Sequence, residues 1–339
     1  MGRQHPESTA TRSQRTETKT KASDQTRRSA RSMRRRFAIP LIAAMAFLPW
    51  YWLMPKPTSG IQQAELISVL DLEGNGDWFG GLSGFDLTSD GETFHLVTDR
   101  GHRATGTLTR DGDELATFSI EQYQPLLDSH GRQREFPLTD AEGVALAEDG
   151  TVYVSFEHSD RVLYYPSWDS PAEWPSYTRA WRAIGNNQGL EALAIDANGT
   201  LYTLPEAILS GASESLVYRR KPGGKWTQPF TIPVHQNFKP VGADFGPDGR
   251  FYLLERGLYP FGFYSRVRSM RIRNDEVTDI VTELETPFAR HGNLEGLSVW
   301  QDARGNLRLT MVSDNNFWFF MRSQLVEYKL SRRVAQPTQ

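Results

Sequence analysis

LSGFDLTSDGETFHLVTDRG, residues 82–101, is an apolar run, an Asp-Gly pair and a second apolar run that ends on an acid. Asp-Gly or Asn-Gly between two such runs is the strongest short-range hairpin signal, because a tight turn demands positive φ. The same phrase returns four times: AEGVALAEDGTVYVSFEH (141–158), LEALAIDANGTLYTLPE (190–206), VGADFGPDGRFYLLERG (241–257) and LEGLSVWQDARGNLRLTMVSDNN (294–316). The matched small residues Gly84, Gly143, Ala192, Gly242 and Gly296 lie 59, 49, 50 and 54 positions apart. About fifty residues per unit, with a hairpin and room for two more strands, is the period of a propeller blade. The repeat predicts an all-β chain with the architecture of a five-bladed β-propeller, six blades being the alternative if 102–140 hides another. Arg161–Tyr165, Ser215–Arg219 and Phe230–Ile232 read as outer strands. Ala64–Leu70 precedes the first repeat and Gln324–Leu330 follows the last, and pairing them in one blade would remove the open edge.

The hairpins also sort the charges. The start of a first strand and the end of a second are neighbours, opposite the turn. The strand-end acids Asp99, Glu157, Glu206, Glu255 and Asp314 therefore converge on one mouth of the channel, joined by Glu142, Glu191 and Glu295 at the strand entrances. Clustered carboxylates repel and raise one another's pKa unless they are neutralised. With oxygen donors and no cysteine, Ca²⁺ is the natural neutraliser, and Asp99, Glu142, Glu191, Glu206, Glu255, Glu295 and Asp314 are the candidate ligands. The bland alternative is that these acids pair with arginines or accept backbone N–H groups between blades. Arg100 and Arg256, each between an acid and a glycine, would bind an anionic substrate group or pair with the ring. His158, directly after Glu157, is the best placed of the scattered histidines for proton transfer, with Glu157 as its partner.

Other chemistries drop out. The chain lacks G-x-S-x-G, Walker A, H-E-x-x-H and G-x-G-x-x-G motifs. It has no cysteine, which excludes disulfide scaffolds, Cys-ligated zinc, iron–sulfur clusters and thiol nucleophiles. Arg290-His291-Gly292 stands inside a repeat, and its likeness to a phosphatase motif reads as coincidence. Phe94, Tyr153, Tyr202, Phe251 and Tyr252 read as packing between blades, and Trp168, Trp174 and Trp181 as caps on the blades or a binding rim.

The formal charge of −3 averages two opposite parts of the chain. Residues 1–36 hold eleven Lys/Arg against three acids, and the remainder holds 27 against 38. The polar basic tail is expected to be disordered. Phe37–Met54 (FAIPLIAAMAFLPWYWLM) is uncharged, with Trp50, Tyr51 and Trp52 at its far end, and reads as a signal anchor or a removed signal peptide. The domain reading is thus tail 1–36, membrane segment 37–54, linker 55–63, propeller 64–330 and C-terminal tail 331–339. Met33 opens a more conventional leader, so 1–32 are expected to lie upstream of the true start. The positive-inside rule puts the propeller on the periplasmic side of the inner membrane, or free in the periplasm if the leader is cleaved. The membrane rather than nucleic acid is the partner expected of the basic tail, and the sequence leaves the oligomeric state open.

Leu82-Ser83-Gly84, Thr98-Asp99-Arg100-Gly101, Asp140-Ala141-Glu142-Gly143, Ser155-Phe156-Glu157, Gly189-Leu190-Glu191-Ala192-Leu193, Asn293-Leu294-Glu295-Gly296 and Val312-Ser313-Asp314-Asn315-Asn316-Phe317 succeed one another in order. In these pieces the chain resembles the bacterial exported family called phytase-like, or "esterase-like activity of phytase", over roughly residues 64–330. The resemblance implies calcium-dependent hydrolysis of a phosphate or carboxylic ester, with Arg100 and Arg256 on the anion. A lysine-rich phosphate pocket is not evident, which counts against phytate itself. A calcium-dependent propeller lactonase and a non-catalytic binding or interaction module are the alternatives.

Overall fold

Gly91, Gly150, Gly199, Gly249 and Gly305, one at each repeat's turn, all have positive φ, between 71° and 85°. Each turn therefore closes the tight hairpin that its sequence demands. The computed structural model describes residues 64–333 except 75–78, 168, 185–187, 207–212, 235–237, 260–261 and 316–320.

Five sheets arise from the five hairpins. Blade 1 is β2 (Leu82–Leu87), β3 (Thr93–Thr98), β4 (His102–Asp111) and β5 (Glu114–Pro125). Blade 2 has three strands, β6 (Ala141–Leu146), β7 (Val152–Phe156) and β8 (Arg161–Tyr165), and a lone Tyr164–Glu173 bridge on its outer edge. Blade 3 is β9 (Leu190–Ile195), β10 (Leu201–Pro205), β11 (Glu214–Arg220) and β12 (Thr227–Pro233). Blade 4 is β13 (Lys239–Phe245), β14 (Phe251–Tyr259), β15 (Gly262–Arg273) and β16 (Glu276–Glu285). Blade 5 joins β17 (Asn293–Gln301), β18 (Asn306–Asp314) and β19 (Gln324–Arg333) to the first described strand, β1 (Ala64–Asp71). That closure pairs Ala64 with Leu330 and Asp71 with Gln324, antiparallel, and so removes the open edge. No sixth blade lies in 102–140: β4 and β5 complete blade 1, and residues 126–140 form a loop with one isolated bridge, Leu127–Gln133.

Apolar residues fill the wedges between blades. One cluster joins blades 4 and 5 through Leu254, Val267, Leu297 and Leu309. Another joins blades 3 and 4 through Tyr202, Leu204, Phe251 and Leu253, where the Tyr202 and Phe245 rings sit 5.0 Å apart. Trp181 is buried against Trp226 and Tyr218 and so caps the wedge between blades 2 and 3, whereas Trp174 is exposed. Trp168 lies outside the described residues. His291 is buried and hydrogen-bonded to the Tyr328 hydroxyl at 2.7 Å, a core role that accounts for the Arg-His-Gly coincidence.

The small residues of the repeat form the neck of the channel. A Cβ on Gly143 would stand 2.6 Å from the Glu191 carbonyl oxygen, one on Gly242 2.5 Å from that of Glu295, and one on Gly296 2.8 Å from that of Ser83. Four of the inner strands thus press a glycine on the backbone of the next blade, and blade 3 has Ala192 there. Here Phe85, Val144, Leu193 and Leu297 leave a cavity of about 10 Å³, at or below what one water needs. At this level the inner strands leave little room for a ligand. Gly242→Ala is expected to cost about 1–3 kcal/mol through overpacking, measured as a lowered denaturant midpoint at unchanged m-value. An unshifted midpoint would mean that the inner strands yield freely.

Below the neck, Asp86 accepts N–H groups from Leu87 and Leu146 (2.8 Å each) and the Ser298 hydroxyl, and Asp244 accepts those of Phe245 and Val299 (2.7 and 2.6 Å). These acids cap otherwise unpaired N–H groups of the inner strands. Burial pushes Asp86 up to about 6 and Asp244 well above the ordinary range.

Candidate functional site

Opposite the turns, backbone geometry assembles the acids. The amide N–H of Asp99 donates to Gly81, that of Glu157 to Asp140 and that of Glu206 to Gly189, each at 2.9 Å. Positions 81, 140 and 189 are therefore equivalent, and of these three blades only blade 2 carries a side chain there. In blade 1 a Cβ on Gly81 would strike the Asp99 carboxylate at 2.0 Å, and in blade 3 one on Gly189 would strike Glu157 and Asp160 at 2.5 and 2.6 Å. The glycines make room for the acids that surround them.

Asp99, Glu142, Glu157, Glu191, Glu206, Glu295 and Asp314 share this mouth, and their charges bear on the ionisation of Asp99, Glu142, Glu191 and Glu295. Burial, reinforced by Asp140, pushes Asp99 up to about 7. Burial, with Glu157 beside it, does the same to Asp140, also about 7. Burial raises Glu295 to about 7 against the opposing pull of Arg256, and it drives Glu142 and Glu191 well above the usual range. Burial likewise raises Asp160 to about 6.

Glu255 departs from the sequence expectation. It is fully buried, and its oxygens accept from Arg266 Nε at 2.8 Å and from Arg268 Nε and Nη2 at 2.7 Å each. Alternation along β14 sends Glu255 and Arg256 to opposite faces of the sheet. Glu255 therefore meets the guanidiniums of β15 while Arg256 enters the acid cluster. There Arg256 donates to Glu206 Oε1 (2.8 Å), Asn293 Oδ1 (2.7 Å) and Glu295 Oε1. Three carboxylates hold its ionisation firmly in the charged form. Lys239 adds a second cation on Glu206, at 2.9 Å. Of the two roles that the sequence left open for the arginines, pairing with the ring is the one in which Arg256 is found; Arg100 is exposed beside Asp99.

The ring is thus divided. One arc, Glu206 and Glu295, is compensated by Arg256 and Lys239. The other, Asp99, Asp140, Glu142, Glu157 and Asp160, has Arg100 and Arg161 at its edges, each offsetting part of the charge of a neighbouring aspartate. Within the arc, His158 Nε2 lies 3.1 Å from Asp140 Oδ2 and 3.7 Å from Glu157 Oε2. Asp140, Glu157 and His158 each offer a donor atom within 4.8 Å of the others, a spacing that can hold a metal ion. His158 sits at φ 58°, a conformation uncommon for a residue with a Cβ, which turns the chain sharply after β7. Glu157 is fixed in turn by the Gly189 N–H on Oε1, at 3.0 Å.

Asp140 and Asp160 were missed by repeat reading, since the positions matching Asp140 in the neighbouring blades are glycines. The signal was present as Asp140-Ala141-Glu142, two acids on one side of an extended segment.

A family model described as "Phytase-like: Esterase-like activity of phytase" matches residues 77–317. No curated protein matches the chain by sequence. Similar solved structures include a luciferin-regenerating enzyme (8% identity, TM-score 0.44, covering 79% of this chain and 98% of that one). A protein of unknown function from Dyadobacter fermentans is 10% identical with a TM-score of 0.45, covering 80% of this chain and 100% of its own. A structure described under the GH130 family of mannoside phosphorylases is 13% identical with a TM-score of 0.44, covering 76% and 85%. No functional assignment rests on likenesses this distant.

Proposed function

The chain belongs to the phytase-like, "esterase-like activity of phytase" family, and from that premise we propose that it is a divalent-cation-dependent hydrolase of small anionic phosphate or carboxylic esters. The observation that carries this reading is the cluster of two carboxylates and an imidazole at the mouth. Asp140, Glu157 and His158 hold their donors within 4.8 Å of one another, while the opposite arc already owns Arg256 and Lys239. A buried carboxylate oxygen of Asp99 and one of Asp160 have no hydrogen-bond partner, which fits a site that awaits a cation. Carboxylates suit calcium or manganese, and the single imidazole widens the choice towards transition metals.

In this reading Asp140, Glu157 and His158 hold the cation, so His158 is a ligand rather than the proton carrier expected from sequence. The bound ion would supply Lewis-acid polarisation of the ester and activation of water. Arg100, exposed at the same mouth, draws in the anionic group. Arg256 and Lys239 together offset the charge of Glu206 and Glu295, which limits the repulsion of anions at the mouth. The narrow neck favours entry of substrate from the acidic face. Water adds to the phosphoryl or acyl centre, the ester C–O or P–O bond breaks, and the leaving alcohol takes a proton. Export and anchoring through Phe37–Met54 complete the proposal; that segment lies outside the described residues, and among those described no helix is long and apolar enough to cross a membrane.

The test is an ester panel (4-nitrophenyl phosphate, 4-nitrophenyl acetate, phytate and a lactone) assayed on chelator-stripped protein with calcium or manganese restored. Cation-dependent turnover of the simple esters is expected, with phytate poor. No turnover and no cation binding up to millimolar levels would overturn the hydrolase in favour of a binding module.

A further inference from the structure

One loop joins the outer strand β5 of blade 1 to the inner strand β6 of blade 2, and it crosses the acidic mouth on the way. Its fold is built in. Asp128 Oδ1 accepts the N–H groups of His130 (2.8 Å) and Arg132 (3.0 Å), and Oδ2 accepts the guanidiniums of Arg132 (3.3 Å) and Arg134 (3.4 Å). The Tyr165 hydroxyl donates to Leu127 O at 3.1 Å. Arg161, stacked 4.0 Å over the Phe156 ring, donates to Leu138 O and, at 2.9 Å, to Ser159 O. A single guanidinium thus ties the end of the loop to the turn that carries His158.

Residues 132–138, one continuous run, line an open surface depression of about 460 Å³. Phe136 stands in it 68% exposed, with its ring edge-on to His158 at 5.7 Å between centroids. Apart from that edge contact the phenyl group is turned to solvent beside a cluster of carboxylates. Arg132 and Arg134 share the Asp128 carboxylate, and with Glu135 residues 126–138 carry no net charge, but both guanidiniums stay open to solvent.

We infer that this loop is the recognition rim for the organic part of the substrate: a flat apolar group bearing or adjoining a negative charge lies against Phe136 with its anionic end towards Arg132 and Arg134. The substrate class is then an aryl or similarly flat anionic ester rather than a polyphosphorylated polyol, which offers an exposed phenyl ring nothing to stack on. The inference rests on the proposed site for where the ester bond would lie, but binding tests it without turnover.

Phenylphosphonate and methylphosphonate share the anion and differ only in the ring. Calorimetry on the full chain with manganese or calcium is expected to give at least tenfold tighter binding of phenylphosphonate. Phe136→Ala should bring the two within threefold of each other, with an unchanged melting temperature because the side chain is exposed. Phe136→Leu should fall between. Equal affinities in the wild type, no binding of either, or a preference that survives Phe136→Ala would overturn the rim. Retained preference with no turnover of any ester would leave the rim standing and sink the hydrolase instead.

Discussion

Replacing Asp140 by asparagine is expected to abolish cation-dependent turnover and to invert the order of stabilities. In the stripped wild type, Asp140 and Glu157 are buried like charges with only His158 between them. Removing one charge relieves that repulsion, so metal-free Asp140→Asn should melt at or above the metal-free wild type. A cation at one hundred times its Kd stabilises the wild type by about 2.7 kcal/mol, and a variant lacking one of three ligands should gain almost none of it. The two melting curves should therefore cross on addition of calcium or manganese. Differential scanning fluorimetry with and without chelator reads this directly. Equal cation shifts in both proteins would remove Asp140 from the site.

Arg256→Met is the second large effect. The side chain neutralises Glu206 and Glu295 and holds Asn293, and removing one partner of a buried pair leaves an uncompensated charge at a cost of about 3–5 kcal/mol. The loss should depend on pH. Burial already raises Glu295 to about 7, and Arg256 opposes that rise; without it the acid is pushed higher. A carboxyl with a folded-state pKa above its unfolded value costs nothing below the unfolded value, and its penalty grows as pH rises through the folded one. The gap between variant and wild type should thus widen from pH 5 to pH 8 in urea melts. Adding Glu295→Gln should recover part of it. A gap independent of pH would mean that Arg256 acts by packing alone.

What could be read from sequence divides along physical lines. The turns were legible because Asp-Gly and Asn-Gly announce positive φ, and Gly91, Gly150, Gly199 and Gly249 all have it. Closure was legible because an unpaired edge is a liability that β1 and β19 could remove only together. Alternation within one strand was equally available, yet it does not say which cation waits on the far side. The fate of Glu255 depends on the register that sets it opposite Arg266, and nothing in the local sequence fixes that pairing. Asp140 escaped for the opposite reason. Superposing repeats emphasises what blades share, and a residue peculiar to one blade falls out of the pattern. The loop over 126–140 has no repeat to betray it at all, and a stretch with strands at its start was open to being read as part of another blade.

The seam in blade 5 has a temporal meaning. Ala64 pairs with Leu330, so the first strand of the ring to leave the ribosome has no partner until the last has been made. At roughly 5–20 residues per second, that wait lasts on the order of 13–53 s. Through it β1 is an orphan edge, while the other blades already have the strands they need. Closing so long a span is entropically slow, so the ring locks as a late event of biogenesis. A factor that keeps Ala64–Asp71 from premature pairing would act before the last strand emerges and have nothing to hold afterwards.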